Sequence, residues 1–152
     1  MKVFITGSSG FIGKNLMKSL KNFSFNVYQR GKAVNIEDSF AVIHLAGKAH
    51  DLKNISNKHE YYEVNTEFTK QIFDSFLISD SSVFIMLSSV KAVAENVIGI
   101  LNEDCKPNPK THYGKSKLLA ESYILSKKIP NNKRMYILRP CMIHGPNNKG
   151  NL

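Results

Sequence analysis

TGSSGFIG, at residues 6–13, separates two different hydrophobic patterns and so sets the architecture of the chain. Residues 2–6 form a short β-rich run, and residues 11–20 carry apolar side chains at helical spacing. In such a strand–turn–helix unit, glycines permit a tight turn, close approach of the backbone to a pyrophosphate, and packing of the helix on the strand. The start of the helix then faces the anion. The pattern predicts a dinucleotide-binding turn, and the alternative is an ordinary glycine-rich turn.

The rest of the chain alternates strand-like and helix-like segments. Strands are predicted at 25–28, 41–46, 82–87 and 135–138, and helices at 60–77 and 113–126. Such alternation favours a parallel sheet with right-handed crossovers. Residues 31–40 are too few for a complete helix and strand, so we expect a shortened second crossover and a missing edge strand. The predicted fold is α/β, a Rossmann-like doubly wound parallel sheet forming one domain over residues 1–152.

The composition is that of a globular protein, with 42% hydrophobic and 22% charged residues. The longest apolar stretches are strand-sized, so no membrane span is expected, and residues 1–7 leave no room for a signal peptide. Cys105 and Cys141 form neither a disulfide framework nor a metal-ligand pattern, which favours a cytoplasmic location. The net charge of +9 comes from scattered residues and indicates a solvated surface. Contacts with nucleotide phosphates are compatible with this charge, and nucleic-acid binding is a distant alternative.

Three residues in two later segments suggest proton-transfer chemistry. Tyr113 and Lys117 are four residues apart in a predicted helix, so they share one face. A nearby ammonium, helped by an oxidised nicotinamide ring, favours the phenolate form of tyrosine, whose pKa is otherwise near 10. Ser89 follows the strand predicted at 82–87 and is expected at the carboxyl edge of the sheet, where the glycine turn also lies. Tyr113 would then exchange a proton with a substrate oxygen while hydride moves to or from a nicotinamide. Ser88 competes with Ser89, and a Tyr-x-x-x-Lys pair alone is usually a helix surface.

The choice of cofactor depends on the residues that follow the second predicted strand. Folds of this type that bind NAD place an acidic residue about 20 residues beyond the glycine turn, where it binds the ribose diol. Here Arg30 occupies that region, and the first acidic residues are Glu37 and Asp38. A guanidinium suits a 2′-phosphate, so the sequence favours NADP over NAD. The alternative is that Arg30 is a solvent-facing loop residue.

Several further motifs follow one another in a recognisable order. They are TGSSGFIG at 6–13, HLAG at 44–47, VNTEFT at 64–69, LSSVK at 87–91, YGKSKLLAE at 113–121, LRP at 138–140 and GP at 145–146. This series resembles the cofactor loop, H-L-A-A, V-N-x-x-x-T, serine-ended strand, Y-x-x-S-K-x-x-A-E and L-R-P motifs of the extended short-chain dehydrogenase/reductase superfamily. The chain is particularly similar to the nucleotide-sugar epimerases, dehydratases and 4-keto reductases of the NAD-dependent epimerase/dehydratase family.

The resemblance implies roles for individual residues. It assigns catalysis to Ser89, Tyr113 and Lys117, without a metal. Together with the argument on Arg30, it gives a cofactor-binding set of Gly7, Ser9, Gly10, Phe11, Ile12, Gly13, Arg30, Leu45, Ala46, Gly47 and Lys117. It also implies that Asn65 braces the active site. His144 stands where the family usually has tyrosine, and Gly47 stands where it usually has a second alanine.

The activity implied by the resemblance is NAD(P)-dependent epimerisation or 4-keto reduction of a UDP-N-acetylhexosamine for surface polysaccharide synthesis. Dehydration is disfavoured because Val90 and Lys91 follow Ser89, where a dehydratase carries an Asp-Glu pair. Because members of the family continue for about as long again, the chain is expected to end before the substrate domain. The alternative to an enzyme is therefore a truncated cofactor-binding module or subunit fragment without turnover of its own. Expected partners are a UDP-sugar and a second copy of the chain, associated through the unfinished sheet.

Overall fold

The computed structural model describes residues 1–48, 57–97, 99–146 and 148. The strands are β1 (Lys2–Thr6), β2 (Ser24–Val27), β3 (Ala41–His44), β4 (Val83–Leu87) and β5 (Arg134–Leu138). They form one sheet in the order β2-β1-β3-β4-β5, and every neighbouring pair is parallel. The expected doubly wound parallel sheet is therefore confirmed.

Helices connect most of these strands. They are α1 (Phe11–Ser19), α2 (Lys58–Tyr62), α3 (Phe68–Ile78) and α4 (His112–Leu125). A π-helical turn, Glu63–Glu67, joins α2 to α3, and a 3-10 turn, Val90–Ala92, follows β4. The single helix predicted at 60–77 is thus interrupted by the π-helical turn. The helix predicted to start at Tyr113 starts one residue earlier, because the Thr111 side chain caps it by accepting a hydrogen bond from the Gly114 amide at 3.1 Å.

The second crossover is shortened, as the sequence predicts. Residues 28–40 run from β2 to β3 without a helix or a strand. β3 pairs with the side of β1 opposite β2, which leaves β2 at one edge of the sheet. The strand that would extend the sheet beyond β2 is absent from the described part of the chain, and its place in the sequence is taken by this loop.

The register of the strands brings several loops to one edge of the sheet. Thr6, at the end of β1, lies opposite His44, at the end of β3, and His44 lies opposite Met86 of β4. The loops after these strands therefore leave the sheet at the same carboxyl edge, which is where open α/β sheets bind ligands.

The hydrophobic core lies between the sheet and the helices α3 and α4. Phe84 of β4 is fully buried, and its ring centroid is 4.9 Å from that of Phe73 and 5.3 Å from that of Phe76 on α3. Ile124 of α4 is buried in the same cluster. Because burial of each such side chain stabilises the fold by about 1.5–3 kcal/mol, these contacts hold α3 and α4 firmly on the sheet. No described helix is both long and apolar enough to cross a bilayer.

Candidate active site

The glycine turn has the close contacts that the sequence pattern predicts. Gly7 has a positive φ of 71°, and a Cβ atom there would lie 2.6 Å from the amide nitrogen of Ala46. A Cβ atom on Gly13 would lie 2.4 Å from the Gly7 carbonyl oxygen. The Gly10 amide donates to the same carbonyl at 3.1 Å. Side chains are therefore excluded where β1, the loop after β3 and the first turn of α1 meet.

The start of α1 presents backbone amides rather than a side-chain cap. Gly10 is the N-cap residue, and it has no side chain with which to satisfy the amides of the first turn. The first turn contains no acidic residue. A ring atom of Phe11 lies 3.3 Å from the position that a Cβ atom on Gly145 would take, so the loop after β5 also reaches this point. These features leave a positively polarised helix end, suited to an anion, beside the glycine turn.

The loop after β3 connects the glycine turn to the proton-transfer residues. The Ala46 amide donates to Thr6 Oγ1 at 3.1 Å, which ties this loop to the end of β1. Gly47 lies at the other end of the loop, where a Cβ atom would come within 3.0 Å of both Asn65 Oδ1 and Lys117 Nζ. Gly47 therefore fits closely against the site, and Leu45, Ala46 and Gly47 lie between the glycine turn and α4.

His44 is a buried connection that the sequence analysis missed. Its Nδ1 lies 2.8 Å from Thr6 Oγ1, and its Nε2 lies 2.9 Å from Thr69 Oγ1. Thr69 donates its only hydroxyl proton to the Asn65 carbonyl at 2.7 Å, so it accepts from His44 Nε2–H. Burial, with a smaller contribution from the positive charge of Lys117, lowers the pKa of His44 to about 3. The imidazole is therefore neutral and holds β1, β3 and α3 together.

Asn65 lies in the π-helical turn and joins the loop after β3 to α4. Its Oδ1 accepts from the Lys48 amide at 2.7 Å, and its Nδ2 donates to Ser116 Oγ at 3.0 Å. The neighbouring Thr66 hydroxyl donates to the Ser116 carbonyl at 2.8 Å. The wider π-helical turn allows both adjacent side chains to contact α4. Asn65 thus occupies the bracing position that the resemblance implies for it.

Lys117 is buried at the point where α4 crosses the end of β4. Only 4% of the residue is exposed, and its Nζ donates to the Leu87 carbonyl at 3.0 Å. Burial lowers the pKa of Lys117 to about 8, and the negative charge of Glu121 opposes this shift. The amine is consequently mostly protonated at pH 7, but it is held much closer to neutrality than a surface lysine.

Tyr113 lies beside Ser89, with the two hydroxyl groups within hydrogen-bonding reach of each other. Ser89 Oγ also accepts from the Lys91 amide at 3.2 Å, which fixes the direction of the serine side chain. Burial raises the pKa of Tyr113, the bond to Ser89 lowers it, and the charge of Glu95 raises it further. The lowered pKa expected for Tyr113 requires an oxidised nicotinamide as well as Lys117; in the chain by itself burial outweighs the hydrogen bond and the pKa is raised.

The two candidate serines have different neighbours. Ser88 is buried and donates to Glu121 Oε1 on α4, so its hydroxyl is directed away from Tyr113. Ser89 has extended backbone dihedrals (φ −160°, ψ 150°), which place consecutive side chains on opposite sides. The geometry therefore favours Ser89 over Ser88 as the partner of Tyr113.

Arg30 follows β2, which is parallel to β1, so it lies at the same carboxyl edge of the sheet but is exposed to solvent. It is exposed in a turn after β2, in which the Lys32 amide donates to the Gln29 carbonyl at 3.1 Å. Gly31 has a positive φ of 81° in this turn. His144 is likewise exposed, in the loop after β5. The structure thus brings Ser89, Tyr113 and Lys117 together, and leaves Arg30 and His144 facing solvent.

Comparisons with known proteins agree with this architecture. The family model described as "NAD dependent epimerase/dehydratase family" matches residues 26–152. UDP-glucose 4-epimerase of Vibrio cholerae is 29% identical over 98% of this chain and 54% of its own length. N-acetyl-alpha-D-glucosaminyl-diphospho-ditrans,octacis-undecaprenol 4-epimerase of Escherichia coli O157:H7 is 28% identical over 99% of this chain and 51% of its own.

Among solved structures, RMD from Pseudomonas aeruginosa complexed with NADPH superposes with a TM-score of 0.78. The two chains are 26% identical, and the match covers 97% of this chain and 56% of the other. The chain spans about half the length of the curated relatives that it matches.

Proposed function

The chain belongs to the NAD-dependent epimerase/dehydratase family, and we propose that it carries out the hydride and proton chemistry of nucleotide-sugar epimerisation or 4-keto reduction. The observation that carries this proposal is the convergence of three side chains at one edge of the sheet. Ser89 lies within hydrogen-bonding reach of Tyr113, and Lys117 is anchored to the Leu87 carbonyl two residues before Ser89. All three lie at the edge where the glycine turn leaves β1.

The residues present fit a nicotinamide dinucleotide. The Gly7 and Gly13 contacts exclude side chains from the turn, and the free first-turn amides of α1 suit a pyrophosphate. Because Gly47 has no side chain, the space beside Lys117 Nζ stays clear, and the ammonium would donate a hydrogen bond to a ribose hydroxyl. When bound, the nicotinamide would accept hydride from a sugar carbon or return hydride to it.

Tyr113 is proposed as the general acid and base. Its raised pKa keeps the hydroxyl protonated at neutral pH, which suits proton donation to a keto oxygen during reduction. In the reverse direction, the phenolate would accept the hydroxyl proton of the sugar. Ser89 would turn its single hydroxyl proton from Tyr113 to the same substrate oxygen and orient that oxygen. Lys117 would stabilise negative charge near Tyr113 by its ammonium group.

We favour NADP as the cofactor on the basis of Arg30. This guanidinium is exposed after β2, and the turn that holds it contains no carboxylate to bind a ribose diol. Arg30→Ala is expected to weaken NADPH binding about 10- to 100-fold, the loss typical of a hydrogen bond to a charged group. NADH is the matched control, since it lacks the 2′-phosphate. An equal effect on both cofactors would overturn the preference.

The proposed substrate is a UDP-N-acetylhexosamine. The Vibrio cholerae relative is named for a UDP-sugar, and the Escherichia coli relative for an N-acetylglucosaminyl diphosphate. Lys91 lies 3.7 Å from Glu95 in an ion pair, so the segment after Ser89 presents a lysine where a dehydratase carries its acidic pair. This arrangement favours epimerisation or reduction over dehydration.

A second candidate is a cofactor-binding module without turnover of its own. This candidate is supported by the length of the chain, which spans about half the length of its curated relatives. Tyr136 and Leu138, on the edge strand β5, are each 49% exposed. An apolar strand edge of this kind favours association, and we propose a second copy of the chain as the partner.

Turnover of UDP-N-acetylhexosamines with NADPH or NAD tests the two candidates against each other. The proposal expects product in wild type, and a loss of at least about 100-fold in Tyr113→Phe because general acid–base catalysis contributes roughly 10²–10⁴-fold. Tyr136→Phe, at an exposed position on β5, is the matched control and should retain activity. Binding of cofactor without turnover in wild type would overturn the proposed enzymatic activity and support the cofactor-binding module.

A further inference from the structure

An ion pair between a buried carboxylate and a partly exposed guanidinium lies next to the Ser89, Tyr113 and Lys117 site. Glu121 of α4 is 0% exposed, and Arg139, which directly follows β5, donates to both of its oxygens. Arg139 Nε lies 3.2 Å from Oε1 and 3.1 Å from Oε2, and Nη2 lies 2.6 Å from Oε2. The carboxylate also accepts the hydroxyl proton of Ser88. Glu121 therefore joins α4 to the ends of both β4 and β5.

The bond from Ser88 to Glu121 determines where Ser89 is directed. Ser88 and Ser89 are adjacent in extended backbone, so fixing one side chain towards α4 turns the other to the opposite side. The backbone here is held as well, because the Ser88 amide donates to the Leu138 carbonyl at 2.7 Å and the Val90 amide donates to the Pro140 carbonyl at 3.2 Å. Arg139 lies between Leu138 and Pro140 in the sequence. The segment 138–140 therefore binds Glu121 through the Arg139 side chain and holds the backbone on both sides of Ser89 through its carbonyl groups.

Glu121 also lies one helical turn beyond Lys117 on the same face of α4. Residues four apart on a helix are neighbours, and the charge of Glu121 acts on the pKa of Lys117 in the direction of the ammonium. The other titratable groups that face Lys117 are Tyr113, one turn earlier on α4, and the neutral His44 on β3. Glu121 is thus the carboxylate that opposes the desolvation of this lysine.

A purely structural role does not require charge at this position. Replacing a buried ion pair by apolar side chains of similar volume is often neutral or stabilising, so the pair is weak evidence for stability alone. The two functions that the geometry gives it are to direct Ser89 and to place a negative charge near Lys117. The effect on Lys117 depends on the charge of a carboxylate, whereas the effect on Ser89 depends on an oxygen that accepts from Ser88.

We propose that Glu121, held by Arg139 and Ser88, is a positioning residue that aligns Ser89 with Tyr113 and sets the charge balance around Lys117. This inference rests on the proposed function, because alignment of these three residues matters only if they act together. Arg139 has the opposite electrostatic role, since it partly neutralises the charge that Glu121 exerts on Lys117.

The test is a titration of Lys117 in the chain labelled with ¹³C at lysine Cε, followed by NMR. Glu121→Gln keeps the size of the side chain and removes its charge, so the pKa of Lys117 should fall by about one unit. Arg139→Gln keeps a donor for Glu121 and removes the neutralising charge, so the pKa should rise. Glu67→Gln, which removes an exposed carboxylate paired with Lys70, is the matched control and should leave Lys117 unchanged.

Opposite shifts in Glu121→Gln and Arg139→Gln would support the proposal, because loose packing would move both variants in the same direction. Unchanged Lys117 titration in both variants, with only a lower melting temperature, would overturn it. If Glu121→Gln does not fold, the sign of the shift in Arg139→Gln decides. The titration needs no substrate or cofactor. An absence of turnover in wild type would therefore overturn the proposed function, whereas only the Lys117 titration decides whether Glu121 sets the charge around Lys117. Where turnover is measurable, kcat should fall in Glu121→Gln while KM is retained.

Discussion

The first turn of α4 lies so close to the backbone of Lys91 that no side chain fits at Gly114. A Cβ atom on Gly114 would lie 2.2 Å from the Lys91 carbonyl oxygen. Ser89 precedes Lys91 by two residues, and Tyr113 directly precedes Gly114. The contact between these two backbones therefore brings the serine and the tyrosine within hydrogen-bonding reach.

Gly114→Ala should separate Ser89 from Tyr113. The added methyl group has to displace either α4 or the 3-10 turn, because the atom that it meets is backbone. We expect the free energy of unfolding to fall by about 1–3 kcal/mol, as for overpacking elsewhere, measured by urea denaturation. Gly99→Ala is the control, since a Cβ atom there meets nothing within 4 Å and only its positive φ of 88° is strained. Equal losses of unfolding free energy or of turnover in the two variants would contradict a specific role of the contact at Gly114.

Lys117→Met should stabilise the chain at neutral pH. The pKa of Lys117 is about 8 in the fold and about 10.4 when unfolded, so at pH 7 protonation disfavours the fold by roughly 3 kcal/mol. Loss of the hydrogen bond to the Leu87 carbonyl offsets about 1 kcal/mol of the gain. The free energy of unfolding should therefore rise by about 2 kcal/mol.

The pH dependence gives the sign of the Lys117 effect. Below pH 8 the lysine is protonated in both states, and the full penalty is present. Between pH 8 and about 10.4 the unfolded state binds more protons, so the stability of wild type rises with pH and approaches that of Lys117→Met. A difference between the two proteins that stays constant from pH 7 to pH 10.5 would show that Lys117 is not desolvated.

His44 should make the fold sensitive to acid. Its pKa is about 3 in the fold and about 6.5 when unfolded, so the unfolded state binds more protons between these values. The contribution of neutral His44 to the free energy of unfolding is fully present above pH 6.5. It is lost as the pH falls towards 3, by roughly 5 kcal/mol in total. In His44→Gln the slope of unfolding free energy against pH should flatten in this window. His59→Gln, at an exposed position on α2, is the control; a slope that is the same in all three proteins would rule out the neutral, buried His44.

Glu95→Gln should lower the pKa of Tyr113. The Glu95 carboxylate raises this pKa by its charge, after burial, which is the larger cause. The Gln side chain retains an acceptor for the Thr111 hydroxyl, which donates to Glu95 Oε1 at 2.5 Å. Titration of ¹³Cζ-labelled tyrosine measures the shift. Glu37→Gln, exposed in the loop before β3, should leave the Tyr113 pKa unchanged, and an upward shift in Glu95→Gln would contradict the assignment.

The strands and the parallel character of the sheet could be predicted from local signals. Short apolar runs ending in glycine or serine mark β1 and β4, and the scarcity of residues at 31–40 predicts the shortened crossover. The π-helical turn Glu63–Glu67 could not be predicted, because the apolar spacing of the helix continues through it. Its position becomes evident only when α4 packs against Asn65 and Thr66.

The candidate site was predictable in its residues but not in its electrostatics. Tyr113 and Lys117 follow from helical spacing, and Ser89 from its place after a strand. The raised pKa of Tyr113 could not be predicted, since it depends on burial and on the charge of Glu95, which the loop after the 3-10 turn Val90–Ala92 brings close to the tyrosine. The pairing of Glu121 with Arg139 is likewise set by the placement of α4 against β5. The four-residue spacing between Lys117 and Glu121 was the available signal.

A fluorescence titration of NADPH and NADH against wild type and Gly13→Ala tests whether the glycine turn binds a nicotinamide dinucleotide. We expect saturable binding in wild type, tighter for NADPH. We expect loss of binding in Gly13→Ala, because the new methyl group would lie 2.4 Å from the Gly7 carbonyl oxygen and distort the turn. Gly99→Ala, where a Cβ atom meets nothing within 4 Å and only the positive φ of 88° is strained, should bind as wild type does. No saturable binding of either cofactor to wild type, or undiminished binding to a folded Gly13→Ala, would show that the glycine turn is not the cofactor site.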